Sequence, residues 1–401
     1  MPDQRFAMPS ISQRRFTLFV LFFIPGVAMA SWVTRTPAIR DRIGASIAEM
    51  GFVLLGLSIG SMAGILLSGL LVSQMGTKAV ANIGTWLVAA GIATIAAGTW
   101  GGVAIIVALG LGLFGLGMGL AEIAINIDGA LVEKQSGRPL MHALHGCFSL
   151  GTVCGAVVGL IANAVALPVE WHLAIVAVLI TPAILHFIRH IPAGEARAPR
   201  ETVDLQSTDD NAFWRDPRLL AIAVIGLAMA LAEGAANDWL PILMVDEHGF
   251  SPTTGSLVFL FFASAMTVGR FTGGFFLERF GRVAVIRASA FLGAIGLGLV
   301  IFSHHPVLAG LSVFLWGIGA SLGFPVAISA AGDSGANSTG RVKVVTIGGY
   351  IAFLVGPPLL GLIGESYGLR NAMLVVLGLV IAATVVAPAA KSRTHAISQA
   401  G

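Results

Sequence analysis

Glu122 and Asn126 lie four residues apart in the apolar segment GLAEIAINIDGALVEK. Residues at that spacing share one face of an α-helix, so the carboxyl and the amide would project together, with Asp128 well off their face. An ionisable side chain inside a membrane span is costly and is by default a candidate for function. A carboxyl that loses hydration favours its neutral form, which suits Glu122 to take up and release a proton. The structural alternative is a buried acid that a neighbouring helix satisfies.

A second set of polar side chains follows one face of the segment MHALHGCFSLGT, at positions i, i+3, i+7 and i+10. They are His142, His145, Ser149 and Thr152. Such a stripe should face water or the interior of a helix bundle. His145 is either a substrate-contacting residue or a hydrogen-bonding link between helices, and His142 is expected to be solvated. A third metal ligand and an HExxH pattern do not accompany them, so we predict no metal site.

Two further pairs of residues are candidates for the walls of a polar cavity between the two halves of the chain. Trp32 and Arg35 share a face near the end of the first apolar run, and Glu233 and Asn237 are four apart in EGAANDW. Alternatively, Trp32 anchors the chain at the membrane interface and Arg35 extends its charge outward to the surface.

Three other polar or aromatic residues accompany the second pair. Asp238 and Trp239 follow directly and are expected nearer the surface. Arg270 stands inside a later apolar run, where we expect it to pair with an acid and hold the C-terminal part together rather than bind substrate.

The elements that must position these residues are helices that cross a membrane. Hydrophobic residues make up 56% of the 401 residues and charged residues 11%, against about a quarter charged in soluble domains. A spanning helix needs about 20 mainly apolar residues, and the apolar runs predict an all-α membrane protein with twelve transmembrane helices. The predicted spans are 16–37, 49–72, 79–98, 102–128, 142–164, 169–190, 218–243, 254–278, 283–303, 306–331, 344–363 and 370–389.

Basic residues indicate the side of the membrane that each loop occupies, because cytosolic loops carry an excess of Lys and Arg. With both termini in the cytosol, eighteen of the 23 basic residues lie in inside segments. The longest polar stretch, 192–218, then falls in the cytosol as well. We therefore expect an N-terminal six-helix half over 1–190, a cytosolic linker over 191–217, and a C-terminal six-helix half over 218–401 that ends in a short cytosolic tail.

The chain also contains one glycine-rich turn twice. SGLLVSQMGTK, after the second predicted span, and GGFFLERFGR, after the eighth, align with a constant offset of 205 residues. The offset pairs Gly69 with Gly274 and Gly76 with Gly281. Two copies at matching places indicate duplicated six-helix units, arranged as two pseudo-symmetric bundles, a construction common among secondary transporters.

This turn resembles the signature loop of the major facilitator superfamily, whose pattern is roughly G-x-L-x-D-R-x-G-R-R. The first copy is degraded, with Ser73 in place of the acid and Thr77 in place of a basic residue. The second copy keeps Glu278, Arg279 and Arg282. The resemblance implies that these three residues form a gating loop. The alternative is that the two arginines only fix the topology.

Four more segments sharpen the resemblance: AEIAIN, LHGCFSLGTVCGA, EGAANDW and GYIAFLVGPPLLG. They are similar to the fucose-permease-like part of the superfamily, in particular to a subgroup of bacterial inner-membrane permeases that includes a rhizopine-cluster membrane protein. By that similarity, Glu122 matches the acid that carries protonation in sugar–proton symport and Asn126 matches its partner. His145 stands where a substrate-contacting amide is usual.

The resemblance implies a secondary active transporter that moves a small polar solute, such as a sugar or polyol, across the inner membrane by alternating access. A proton or another ion would be the coupling partner, with Glu122 as the proton-coupling group. A G-x-x-x-x-G-K-[ST] motif is absent, which indicates that a gradient rather than ATP supplies the energy. We expect a monomer in the lipid bilayer, with no cofactor and no nucleic-acid partner. The predicted substrate-binding residues are Trp32, Arg35, Asn126, His145, Glu233 and Asn237.

Other functions compete with this interpretation. A drug or metabolite efflux carrier and a non-transporting sensor of the same fold stay open at this point. A channel would need a repeated filter or a ring of charges, whereas the duplicated halves favour alternating access. An intramembrane hydrolase would need a nucleophile with a base, and although Ser149 and His145 are four apart, no third orienting acid is evident.

Overall fold

The computed structural model of the chain describes residues 9–137, 140–196, 215–335 and 337–391, without the side chain of His142. Within these ranges the regular elements are all helices. Most of the predicted linker and of the predicted C-terminal tail lies outside the described residues. The same holds for five basic residues that the topology prediction placed in the cytosol, namely Arg5, Arg138, Arg197, Arg200 and Arg393.

Twelve α-helices occur in the described ranges. They are α1 (Ile11–Val33), α2 (Thr36–Ile43), α3 (Ile47–Met75), α4 (Thr77–Gly101), α5 (Ala104–Ser136), α6 (Met141–Ala164), α7 (Val169–Phe187), α8 (Pro217–Asp246), α9 (Pro252–Phe302), α10 (Pro306–Gly332), α11 (Ser338–Tyr367) and α12 (Leu369–Val386). Short 3-10 helices follow α7 and α12, at Ile188–His190 and Ala387–Ala390.

Eleven of the described helices are long and apolar enough to cross a membrane, and α2, with eight residues, is the exception. The helix α9 runs for 51 residues but is broken at Gly281, where φ of 75° and ψ of 168° lie outside the helical range. It therefore supplies two of the predicted spans, 254–278 and 283–303. The prediction of an all-α membrane protein with twelve spans is confirmed.

Short polar side chains start several of these helices. Ser10 Oγ accepts the backbone N–H of Gln13, and the Gln13 side chain accepts the N–H of Ser10 in return, which satisfies two donors at the start of α1. Asp216 caps α8 and accepts the N–H of Leu219 at 3.2 Å. Partial burial raises the pKa of Asp216, but hydrogen bonds from Arg341 and from the helix N–H groups outweigh this and lower the pKa below its usual value.

The helices fall into two compact units, of which the first holds α1, α2, α4 to α7 and the part of α3 from Val53 onward. Its helices approach closely where a glycine of one helix contacts the backbone of a neighbouring helix. A Cβ atom added at Gly60 of α3 would lie 2.0 Å from the carbonyl oxygen of Gly112 on α5, so only a residue without a side chain fits there. Buried apolar residues, Leu18 and Leu120 among them, form the core of this unit.

The second unit holds α8 to α12 together with residues 45–52, which include the start of α3. Its core is rich in aromatic residues. Trp316 of α10 is fully buried, and its Nε1 donates to the carbonyl oxygen of Ala232 on α8 at 3.0 Å. Phe262 of α9 packs edge-on against the Trp316 ring with centroids 5.7 Å apart. These contacts hold α8, α9 and α10 together around the polar residues of α8.

Candidate functional site

The polar face of α5 carries two of the predicted site residues. Glu122 is exposed and Asn126 is half-buried, whereas Asp128 is fully buried on another face of the helix. The amide oxygen of Asn126 is buried and has no hydrogen-bond partner among the described residues. Glu122 was expected to be buried, whereas the residue is exposed.

His145 lies on α6, the helix that packs most extensively against α1. Its side chain is exposed, and its ring meets Phe22 of α1 edge-on with centroids 5.2 Å apart. The Ser149 hydroxyl donates to the carbonyl oxygen of His145 at 3.3 Å. The aromatic contact therefore sets the position of the imidazole. Within the described part of the chain, no three His, Cys, Asp or Glu side chains are grouped as metal ligands.

Trp32 and Arg35 are both enclosed by protein, with 1% and 4% of their surface exposed. The Arg35 guanidinium donates from Nη2 to the carbonyl oxygen of Leu167, in the connection between α6 and α7, at 2.5 Å. This bond holds the side chain inside the first unit, so Arg35 does not extend to the surface and Trp32 is not an exposed interfacial anchor.

In helix α8, the two predicted site residues of the second unit are accessible. Within 228–244, a stretch that is described throughout, Glu233 and Asn237 are the residues that are not buried. Glu233 Oε1 accepts a hydrogen bond from Arg270 Nη2 of α9 at 2.7 Å. The prediction that Arg270 pairs with an acid is confirmed, and the pair links α8 to α9 within this unit.

Asp238 and Trp239, expected nearer the surface than Glu233 and Asn237, are enclosed by protein. They are 7% and 0% exposed, because α8 continues to Asp246 and packs against α11. The Trp239 ring lies 3.3 Å from the position of a Cβ atom at Gly361 of α11. Among the described residues the carboxyl of Asp238 has no ion-pair or hydrogen-bond partner.

The two copies of the glycine turn share one backbone conformation. Gly76 has φ of 85° and ψ of 165°, and Gly281 has φ of 75° and ψ of 168°, a region that favours glycine. In the second copy Arg282 bonds to Asp333 Oδ2 of the α10 end at 2.6 Å and to Ser329 Oγ at 3.0 Å. Glu278 and Arg279 are exposed, and the Arg279 guanidinium lies 5.9 Å from the ring centre of Phe280.

The first copy of the turn has a different partner network, which sequence reasoning missed. Thr77 Oγ1 lies 3.4 Å from Asp128 Oδ1, and the charge on Asp128 is met instead by Arg14 of α1 through Nε at 2.9 Å and Nη2 at 2.5 Å. Arg14 also bonds to both carboxyl oxygens of Glu195, after α7. The constant offset of 205 between Asp128 and Asp333 is the signal that could have pointed to this acid.

The chain matches the family model of the Major Facilitator Superfamily over residues 16–343 and 239–398. An uncharacterized MFS-type transporter of Yersinia pestis is 30% identical over 372 residues, which cover 92% of this chain and 93% of that protein. The membrane protein MosC of Rhizobium meliloti is 26% identical over 371 residues, covering 90% of this chain and 86% of MosC.

Solved structures share the fold. The nucleoside transporter NupG has a TM-score of 0.74 at 17% identity, covering 94% of this chain and 98% of the other. A variant of the E. coli fucose:proton symporter FucP has a TM-score of 0.59 at 14% identity, with the same coverage. At these identities the likeness concerns the fold alone. The family match and the two relatives confirm the resemblance drawn from the glycine turn and the four helix segments.

Proposed function

Because the chain belongs to the Major Facilitator Superfamily, we propose that it is a secondary active transporter for a small polar solute, namely a sugar, a polyol or a related compound. The solute would cross the bacterial inner membrane by alternating access, with protons as the coupling ion. The sequence lacks a nucleotide-binding G-x-x-x-x-G-K-[ST] motif, which favours a gradient as the energy source. Two proteins that share the fold are a nucleoside transporter and a fucose:proton symporter. Their solutes are rich in hydroxyl groups, which supports a solute of that kind for this protein.

The observation that carries the proposal is the restriction of polar side chains to a few accessible positions of otherwise apolar helices. Asn126 and His145 occupy such positions in the first unit, and Glu233 and Asn237 occupy them in the second. Amides and imidazoles both donate and accept hydrogen bonds, which matches the hydroxyl groups of a sugar or polyol.

Trp32 and Arg35 belong to the proposed substrate-binding set in one conformation only. Both are enclosed here, so they would contact the solute when a conformational change exposes them. Alternating access supplies such a change, since one conformation opens what the other encloses.

Glu122 is the proposed proton-coupling group. In the proposed cycle, water reaches the exposed Glu122, which would favour the charged form. Closure of the protein around it would remove water and favour the neutral, protonated form. Protonation and closure would then promote each other, because linkage between two equilibria is reciprocal. This reciprocity is what gradient-driven transport requires.

The proposal is tested by identifying the solute and following its movement. A thermal-shift screen of the purified full-length protein would cover sugars, polyols, inosamines, amino acids and drugs, since a ligand that binds the folded state raises its Tm. The stabilising compound, radiolabelled, would then be followed into proteoliposomes with and without an inward proton gradient. Accumulation that requires the gradient supports the proposal. Stabilisation by apolar drugs would instead indicate an efflux carrier, and binding without net movement would indicate a sensor.

A further inference from the structure

A buried guanidinium with unpaired nitrogens lies where α1 ends. Arg35 is 4% exposed, and its Nη2 donates to Leu167 just before α7. Its Nε and Nη1 are also buried, and neither has a hydrogen-bond partner among the described residues. A buried donor without a partner is destabilising, and more so when the group is charged.

The charge on Arg35 is not compensated by a direct ion pair in the described part of the chain. The acid that acts on it electrostatically is Glu170, but Glu170 Oε1 is bound to Arg42 Nη2 at 2.9 Å. An enclosed cation without a counter-charge is strongly destabilising. The enclosed charge of Arg35 therefore favours the binding of an anion beside it.

A second buried side chain without hydrogen-bond partners lies on α7, the helix that begins just after Leu167. His172, in the first turn of α7, is 2% exposed, and both of its ring nitrogens lack a hydrogen-bond partner among the described residues. It interacts electrostatically with Arg35. One ring nitrogen of a neutral imidazole is always a donor. The N-terminal end of α7, which follows Leu167 directly, also carries positive partial charge.

We propose that Arg35 and His172 hold a small monovalent inorganic anion of the size of chloride inside the first unit. The anion would accept hydrogen bonds from Nε and Nη1 of Arg35 and from one imidazole nitrogen, and its charge would neutralise the guanidinium. The enclosure of both side chains selects a monatomic ion over an organic acid. The anion would stabilise the packing of α1 against α7 in this conformation, in which Arg35 is enclosed and does not contact the solute.

The test is the halide dependence of the Tm of the purified full-length protein. The protein would be exchanged into gluconate salt and titrated with chloride or bromide at constant ionic strength. A saturable rise on the order of 5 °C with either halide is expected if the ion binds only the folded state. Bromide-soaked crystals should show an anomalous peak between Arg35 and His172. A Tm that does not respond to halide would overturn the proposal and leave water as the occupant.

Variants separate the site from a general salt effect. Arg35→Gln and His172→Phe should each lose the halide response. Arg287→Gln, an exposed arginine of the second unit, should retain it. Equal responses in all variants would also overturn the proposal, and the unmodified protein decides the question by itself if Arg35→Gln does not fold.

Discussion

Arg282 Nη2 lies 2.6 Å from Asp333 Oδ2, and both residues stand 205 positions after a pair that is bonded differently, Thr77 and Asp128. In the second unit the residue after the left-handed glycine is itself the basic partner of the acid. In the first unit that residue is a threonine, and Arg14 of α1 supplies the charge. The two units thus satisfy equivalent carboxyls from different helices, so equivalent substitutions should have unequal effects.

Removal of Arg14 should be far more damaging than removal of Arg282. Arg14→Gln would leave the fully buried Asp128 unpaired, which costs about 3–5 kcal/mol. Arg282→Gln breaks a pair whose side chains are 27% and 53% exposed, and such pairs contribute about 1 kcal/mol or less. Unfolding of the two purified variants in denaturant, side by side, gives the comparison. Similar losses in both would contradict the assigned role of Arg14.

Replacement of Gly281 by alanine should reveal the cost of its backbone conformation. A Cβ atom there would meet no atom within 4 Å, so the loss, about 1–3 kcal/mol, comes from the backbone conformation alone, because φ of 75° with ψ of 168° is a region essentially restricted to glycine. Gly274→Ala is the matched control, because its Cβ atom also meets open space but its backbone is helical. The control should be neutral or slightly stabilising. Equal Tm values for the two variants would argue against strain at Gly281.

Glu122→Gln imitates the protonated carboxyl and should separate exchange from accumulation. Once the solute is known, proteoliposomes with the variant should exchange labelled for unlabelled solute at a rate near that of the unmodified protein. The same vesicles should fail to concentrate the solute under an inward proton gradient. If accumulation reached the unmodified level, proton coupling would have to be assigned elsewhere, and Glu233 or the buried Asp238 would be examined next.

The amides on α5 and α8 should contribute to solute affinity without contributing to folding. Asn126→Ala and Asn237→Ala should each weaken binding about 10-fold, as the loss of one buried hydrogen bond to a ligand does. Titration calorimetry with the identified solute measures this. Asn371→Ala is the control, since Asn371 is exposed and donates to Tyr367 near the start of α12. Normal affinity in both α5 and α8 variants would show that the site lies elsewhere.

The positions of the loops can be tested with single cysteines in a background where Cys147 and Cys154 are alanine. Ser207→Cys should be protected from an impermeant thiol reagent in intact cells, because the linker is predicted to be cytosolic. His248 is 6% exposed, so the outside reporter is better placed at the exposed Ser366, near the end of α11. Ser366→Cys should react in intact cells. Labelling of Ser207→Cys under the same conditions would reverse the topology.

Candidate site residues were predictable to the extent that their signal is local. The i, i+4 spacings of Glu122 with Asn126 and of Glu233 with Asn237 depend only on helical geometry, and the accessible positions of α8 agree with the second of them. Enclosure by neighbouring helices is not local in this way. Asp238 directly follows Asn237 but is only 7% exposed, because α8 packs against α11.

The sequence by itself determined that the protein is a bundle of twelve membrane spans with a duplicated glycine turn, since apolar length and the φ preference of glycine act within a few residues. Only the tertiary structure decided which charges meet. Arg14 and Asp128 are 114 residues apart, and Arg35 and Leu167 are 132 residues apart, so sequence spacing predicts neither contact. Helix packing brings such groups together. Because the groups are buried, a hydrogen-bonded pair is tolerated, whereas an unpaired nitrogen costs free energy of folding.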